Sequence, residues 1–241
     1  MGLIEKLQEI KTKIENLPSG SDDFEIKDCQ ELFKGEMRIK EFDSIIKKIK
    51  KPTNMYCFSE GCSSTTVNAD FSHVDFSDLT GDMQHIFCFR RLSDFKMPKG
   101  LENITSFNYS FDNLNRSELL DTVEVDLSMC DKVESFERTF FEAKVHKVKM
   151  NITNTTNMEH CFYDGYDNNG LTELDFTGTT NVKCNFNLKY TRMGRDNLMT
   201  MLNTLPTLDH SQTITLGETK INELSEADIA EFSSKGYSLT T

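Results

Sequence analysis

Phe136-Glu-Arg-Thr-Phe140 followed by Lys147-Val-Lys-Met150, then Met158-Glu-His-Cys-Phe162 followed by Glu173-Leu-Asp-Phe176, is the stretch that decides the fold. A large residue, three others and a Phe form one motif. It recurs upstream as Met83-Gln-His-Ile-Phe87 and Phe107-Asn-Tyr-Ser-Phe111, with a degenerate first copy from Asn54 to Phe58. The anchors at 54, 83, 107, 136 and 158 lie 29, 24, 29 and 22 residues apart. Residues four apart share one face of a helical turn, so the spacing predicts short helical turns that point paired side chains into a common core.

Between anchors lies a second recurring segment with period-2 alternation, which marks a short strand. Its copies are Asp94-Phe-Lys-Met97, Val123-Glu-Val-Asp-Leu127, Lys147-Val-Lys-Met150 and Glu173-Leu-Asp-Phe176. From the inward residue to the next anchor the distance is nearly constant: 12 for Phe95 to Phe107, 11 for Val125 to Phe136, 10 for Val148 to Met158. Asn, Thr, Ser and Gly follow each strand, as in Asn103-Ile-Thr-Ser106 and Thr153-Asn-Thr-Thr-Asn157, and suit tight corners. Asn113-Leu-Asn-Arg-Ser117 and Tyr166-Asp-Asn-Asn-Gly170 read as surface insertions. A unit of strand, corner and turn cannot bury its apolar side alone and must stack on its neighbours. The fold class expected is therefore an α/β solenoid, an irregular stack of short parallel strands and short helical turns.

Composition agrees. The 241 residues include 18 Phe, no Trp and 4 Pro, with 37% hydrophobic residues, so one core slot filled repeatedly by Phe accounts for a thin core. The net charge of -12, from 27 basic and 39 acidic residues, disfavours direct nucleic-acid binding. No apolar run approaches the ~18 residues of a membrane span. Seven cysteines and no leader pattern lead us to expect a virion or host-cytoplasm location rather than secretion through a signal peptide.

The string Met158-Glu-His-Cys-Phe-Tyr-Asp-Gly165, continued by Leu171-Thr-Glu-Leu-Asp-Phe-Thr-Gly-Thr-Thr-Asn-Val182, resembles the repeat unit of the BspA-like leucine-rich repeat family. The resemblance spans roughly residues 54 to 205 and is looser outside that copy, where Leu positions are often Phe, Val or Met. It implies a leucine-rich-repeat stack, a binding rather than catalytic role, and, by the closing segment, the phage-encoded, tail-associated branch of the family.

The expected organisation has an amphipathic helix over 1–18, a linker and cap over 19–53, repeats over 54–205 and a C-terminal cap over 206–241. Leu3, Leu7, Ile10, Ile14 and Leu17 form a two-heptad seam, equally suited to a homo-oligomer or to packing on the chain's own body. Arg38, Lys40, Lys47, Lys48, Lys50 and Lys51 alternate with Phe42, Ile45, Ile46 and Ile49, as in a capping helix with a solvated basic face. Ser225 before Glu226-Ala-Asp228, with Leu224 and Ile229 as a staple and Gly236 as the stop, predicts a capped helix after a strand at Gln212–Gly217.

Little here suggests chemistry. Cys57, Cys62, Cys88, Cys161, His85 and His160 invite a metal reading, but no C-x-x-C pair exists, and Cys57, Ile86, Ser110, Thr139 and Cys161 share one slot, as a small packing site would. His85, Tyr109, Arg138 and His160 share the next slot, read as surface. No phosphate-binding loop, nucleophile elbow or zinc-protease motif is present, so the expectation is no enzyme, no cofactor and no metal. What remains is a partner-binding ladder of outward strand residues on one continuous sheet: Asp94, Lys96, Glu124, Asp126, Lys147, Lys149, Glu173 and Asp175. The expected function is a phage protein that binds another protein or a cell-surface ligand, as a minor virion or tail component in host recognition. The alternative is an intracellular inhibitor that blocks a host defence effector through its acidic face.

Overall fold

The computed structural model describes residues 8, 25–35, 42–62, 66–165, 170–178 and 184–241. The heptad seam and the linker after it lie outside these residues, as do Arg38, Lys40 and most of the 166–170 insertion.

Alternating residues make the strands. In β5 (Glu124–Leu127), β6 (Lys147–Asn151) and β7 (Glu173–Thr177), Val125, Leu127, Val148, Met150, Leu174 and Phe176 are buried, while the residues between them face outward. The three strands pair in parallel, with Val125 opposite Val148 opposite Leu174. The other described strands are β1 (Val67–Asp70) parallel to β3 (Leu92–Lys96), β2 (Gly81–Asp82) parallel to β4 (Ile104–Ser106), and β8 (Phe186–Asn187), β9 (Gln212–Thr215) and β10 (Tyr237–Thr240). Short parallel strands in four small sheets, with few helices and no closed barrel, define an α/β chain. The expected single sheet is therefore corrected: β3 pairs with β1 and not with β5.

The anchor motifs do not form helices. Each is a pair of consecutive turns with a left-handed residue in its middle: Glu31, Cys57, His85, Tyr109, Arg138 and His160 all have φ between +50° and +57°. That reversal, and not a helical repeat, brings the anchor and the Phe four residues later to the same side. The residue before each anchor fixes the turn's entry. Asp28, Asn54, Ser135 and Asn157 accept from the backbone N–H two residues on, at 3.1, 3.1, 3.4 and 2.9 Å. The left-handed slot also corrects the first copy. Cys57 aligns with His85, Tyr109, Arg138 and His160, so its anchor is Met55 and not Asn54, and Cys57 does not share the slot of Ile86 and Cys161.

Neighbouring turns stack chiefly through backbone bonds from N–H of the earlier turn to C=O of the later, while flanking bonds such as Asn115 N–H to Phe89 C=O and Thr156 N–H to Glu134 C=O run back. Phe107, Tyr109, Phe111 and Asn113 donate to Ser135, Glu137, Thr139 and Phe141 at 2.8–3.1 Å; Phe136, Arg138, Phe140 and Glu142 donate to Asn157, Glu159, Cys161 and Tyr163 at 2.8–2.9 Å. The pairing already begins at Asp28, which bridges to Asn54.

This stacking sets the rings in a column. Phe87 to Phe111, Phe111 to Phe140 and Phe140 to Phe162 lie 5.0, 5.1 and 5.6 Å apart and near parallel, and Phe107 stacks on Phe136 beside them. Phe58 is outside the column. It meets Phe33, Phe71 and Phe89 edge-on, while Phe87 is met edge-on by Phe71 and near parallel by Phe76 at 6.2 Å. The Asn113–Ser117 segment is likewise no mere surface insertion, because Leu114 and Asn115 are fully buried and the Asn115 amide donates to the carbonyls of Leu120 and Lys144.

Near the N-terminal end, α1 (Phe42–Ile46) buries Phe42 and Ile46. At the other end, α2 (Arg195–Thr204) packs on β7, followed by α3 (Glu218–Glu223) and α4 (Glu226–Ser234). Ser225 and Asp228 form the expected capping box, and Gly236 turns into β10 with φ +89°. Asp228 also takes both arms of Arg195, at 2.8 and 2.7 Å, and Lys235 caps the carbonyls of Leu202 and Leu205 at 2.7 and 3.0 Å. These contacts lock α4 to α2.

Phe140 sits mid-column and is 1% exposed. Phe140→Ala is expected to cost about 3–5 kcal/mol in urea unfolding, and Phe140→Leu about 1–2, because it keeps the volume and loses the ring stacking.

Candidate functional site

Parallel pairing in register turns the outward residues of β5, β6 and β7 into two charged rows. Glu124, Lys147 and Glu173 form one, and Asp126, Lys149 and Asp175 the other. Each lysine leans to a different side: Lys147 Nζ lies 2.7 Å from Glu173, and Lys149 Nζ 3.8 Å from Asp126. The Glu173 carboxylate holds Lys147 above the usual lysine range. Burial works against ionisation of Asp126, but Ser128 and Lys149 outweigh it and hold its pKa below the ordinary value. Among the described residues, Glu124 and Asp175 have no ion-pair partner within 4 Å. The other two predicted residues belong elsewhere. Lys96, on β3, bonds Asp70 across the strand pair at 2.6 Å and approaches Asp94 at 3.4 Å. Lys96 and Ser72 draw Asp70 down to about 2. Six of the eight predicted residues thus share one face, and Asp94 and Lys96 form a separate pair.

The turns carry a second surface that sequence reasoning passed over as solvent. The rings of His85 and Tyr109 lie 5.0 Å apart, the Arg138 guanidinium sits 5.5 Å from Tyr109 and 5.3 Å from Phe141, and Phe141 stacks on Tyr163 at 5.2 Å. Tyr163 meets Tyr190 at 4.9 Å. The signal was present in the sequence, since these positions recur three residues apart within each turn, but the left-handed backbone that lines them up could not be read from residue types that include Glu, Cys and Arg.

Charges also lie inside. Lys144 and Asp164 pair at 2.9 Å with side chains 10% and 2% exposed, so removing either partner would strand a buried charge. Arg116 pairs with Glu142, and Asp112 lies beside both. Burial pushes the Asp112 carboxyl up to about 6, with Glu142 adding to the rise, against the Asn113 amide and the arginines Arg90 and Arg116.

All seven cysteines are buried thiols. Cys57 is pushed up to about 11, and Cys130 and Cys184 to about 12, chiefly by burial. Cys88 Sγ comes 3.7 Å from His85 Nδ1, but no three His, Cys, Asp or Glu side chains among the described residues converge as a metal site would require. No helix among the described residues is long and apolar enough to cross a membrane. No family model matches the chain, and neither a curated protein nor a solved structure matches it.

Two outcomes are expected. Because Asp112 holds its proton more tightly folded than unfolded, its contribution to stability falls as pH rises from about 4 through about 6 and is flat above. Asp112→Asn should therefore stabilise the chain by about 1–3 kcal/mol at pH 7.5 and flatten that part of the urea-midpoint profile. A thiol reagent at neutral pH should modify the native protein slowly and all seven cysteines quickly in denaturant.

Proposed function

We propose that the protein is a non-catalytic α/β solenoid that binds another protein through the outward face of β5, β6 and β7. The stacked turns, the parallel strands and the Phe column support the solenoid reading, since units that bury their apolar sides only against neighbours must form an extended stack. One observation carries the binding role: the register places acid, base and acid columns side by side, with Glu124 and Asp175 uncompensated at opposite corners. Such a pattern selects partners by charge arrangement, setting on-rate and specificity more than raw affinity. Its lysines already answer two of the four acids, so a suitable partner offers separated basic groups and not a uniformly basic surface.

The resemblance of the repeat unit to the BspA-like family extends this proposal to a phage-encoded chain, acting as a minor virion or tail component in host recognition. The second reading, an intracellular inhibitor of a host defence effector, draws support from seven cysteines carried as thiols, a state suited to a reducing compartment.

Affinity capture from host lysate separates face from scaffold. With Glu124, Asp126, Glu173 and Asp175 all reversed to Lys, the partner held by the intact protein should be lost while the circular dichroism spectrum is kept. Equal capture by both forms would remove this face from consideration.

A further inference from the structure

The pattern of bonds from turn to turn is interrupted at Met158 and His160. In the two preceding interfaces the N–H of the anchor and of the left-handed residue both donate to the next turn, as Phe107 and Tyr109 do to Ser135 and Glu137, and Phe136 and Arg138 to Asn157 and Glu159. Met158 and His160 occupy the same positions, yet their N–H groups have no partner among the described residues. The side-chain link fails at the same place. Asn54 Nδ2 reaches back to Gln30 at 3.1 Å and Asn157 Nδ2 to Glu137 at 3.3 Å, whereas Asn187, the next in the series, accepts from Lys189 N–H through Oδ1 and its Nδ2 has no partner among the described residues. Between the two halves of the interrupted link is a cavity of about 210 Å³. Buried Met158 and Phe186 line it, with Tyr163, Asn187 and His160 around them.

We propose that this cavity binds a carboxylate carried on a small apolar group. The peptide dipoles of the stacked turns point the same way, and their positive, N–H end is the pair Met158 and His160. Successive backbone N–H groups around a left-handed residue form an anion-binding concavity, and dipole alignment favours negative charge there. The Asn187 amide supplies a third donor from the opposite wall. Met158, Phe186 and the Tyr163 ring receive the apolar group, in a volume with room for one small side chain. The Glu159 carboxylate stands on the rim, 69% exposed and 3.4 Å from His160 Nε2, and weakens the site without closing it. A peptide C-terminus ending in an apolar residue carries this chemistry, whereas an acidic sugar supplies the carboxylate without the apolar group. The cavity uses no residue of the charged strand face, so the two proposals stand or fall separately.

The test is a titration of the full chain followed by amide NMR, with N-acetyl-leucine, glucuronate, acetate and N-acetyl-leucinamide as probes. The Met158 and His160 amides should shift saturably, with N-acetyl-leucine bound about tenfold tighter than its amide, the difference between a charged and a neutral acceptor. N-acetyl-leucine should bind more tightly than acetate or glucuronate, which lack the apolar group, and the reverse order would overturn the proposal. Glu159→Gln, at an exposed position, should tighten carboxylate binding about threefold at low salt, with the gain lost at high salt. Unmoved Met158 and His160 amides, or equal response to the acid and the amide, would overturn the proposal.

Discussion

The stacking of this chain depends on backbone hydrogen bonds that pass from the middle of one turn to the next. A residue with positive φ in the middle of each turn aims the N–H groups of its neighbours toward the following turn and their carbonyls toward the preceding one. Turns built this way join only head to tail, which forces a single direction of stacking. Once they are joined, anchor sits on anchor and Phe on Phe, so the ring column follows from the backbone and not the reverse. The strands that connect successive turns then pair in parallel. The cost is a strained backbone at Glu31, Cys57, His85, Tyr109, Arg138 and His160, none of them glycine, at a price offset by the two to four bonds each interface gains.

The strands and most of the Phe column were legible in the sequence because both rest on periodicity. Alternation in Val123–Leu127 and Lys147–Met150 placed the core residues correctly, and the spacing from Met83 to Phe162 identified the column. What misled was local. A four-residue spacing fits a helix as well as a double turn, and no glycine marks the left-handed site. Phe58 carried the right side chain in the wrong register, since Cys57 and not Phe58 fixes the alignment. Of the eight outward residues, the six on β5 to β7 lie in register on one sheet, while Asp94 and Lys96 lie on β3, which pairs with β1 in a separate sheet. The cavity beside Met158 had no sequence signal at all, because it consists of bonds that a regular stack would have made.

The two surfaces differ in physical character. The strand face is solvated and its charges partly answer one another, which suits a reversible, salt-sensitive encounter. The cavity beside the last of these turns is lined by buried Met158 and Phe186 and by the Met158 and His160 turn, whose N–H groups have no partner among the described residues, and there a bound acceptor meets backbone donors. In the solenoid we propose, both arise from the same stack. One is its flank and the other the place where it is interrupted.

Hydrogen exchange of individual amides tests the stacking most directly. The amides of Phe107, Tyr109, Phe136, Arg138 and Phe140 should exchange only through global unfolding, slower by about a thousandfold or more than those of Met158 and His160. Exchange at Tyr109 and Arg138 as fast as at His160 would mean that the turns are not bonded to one another, and that something other than their one-way stacking holds the chain in order.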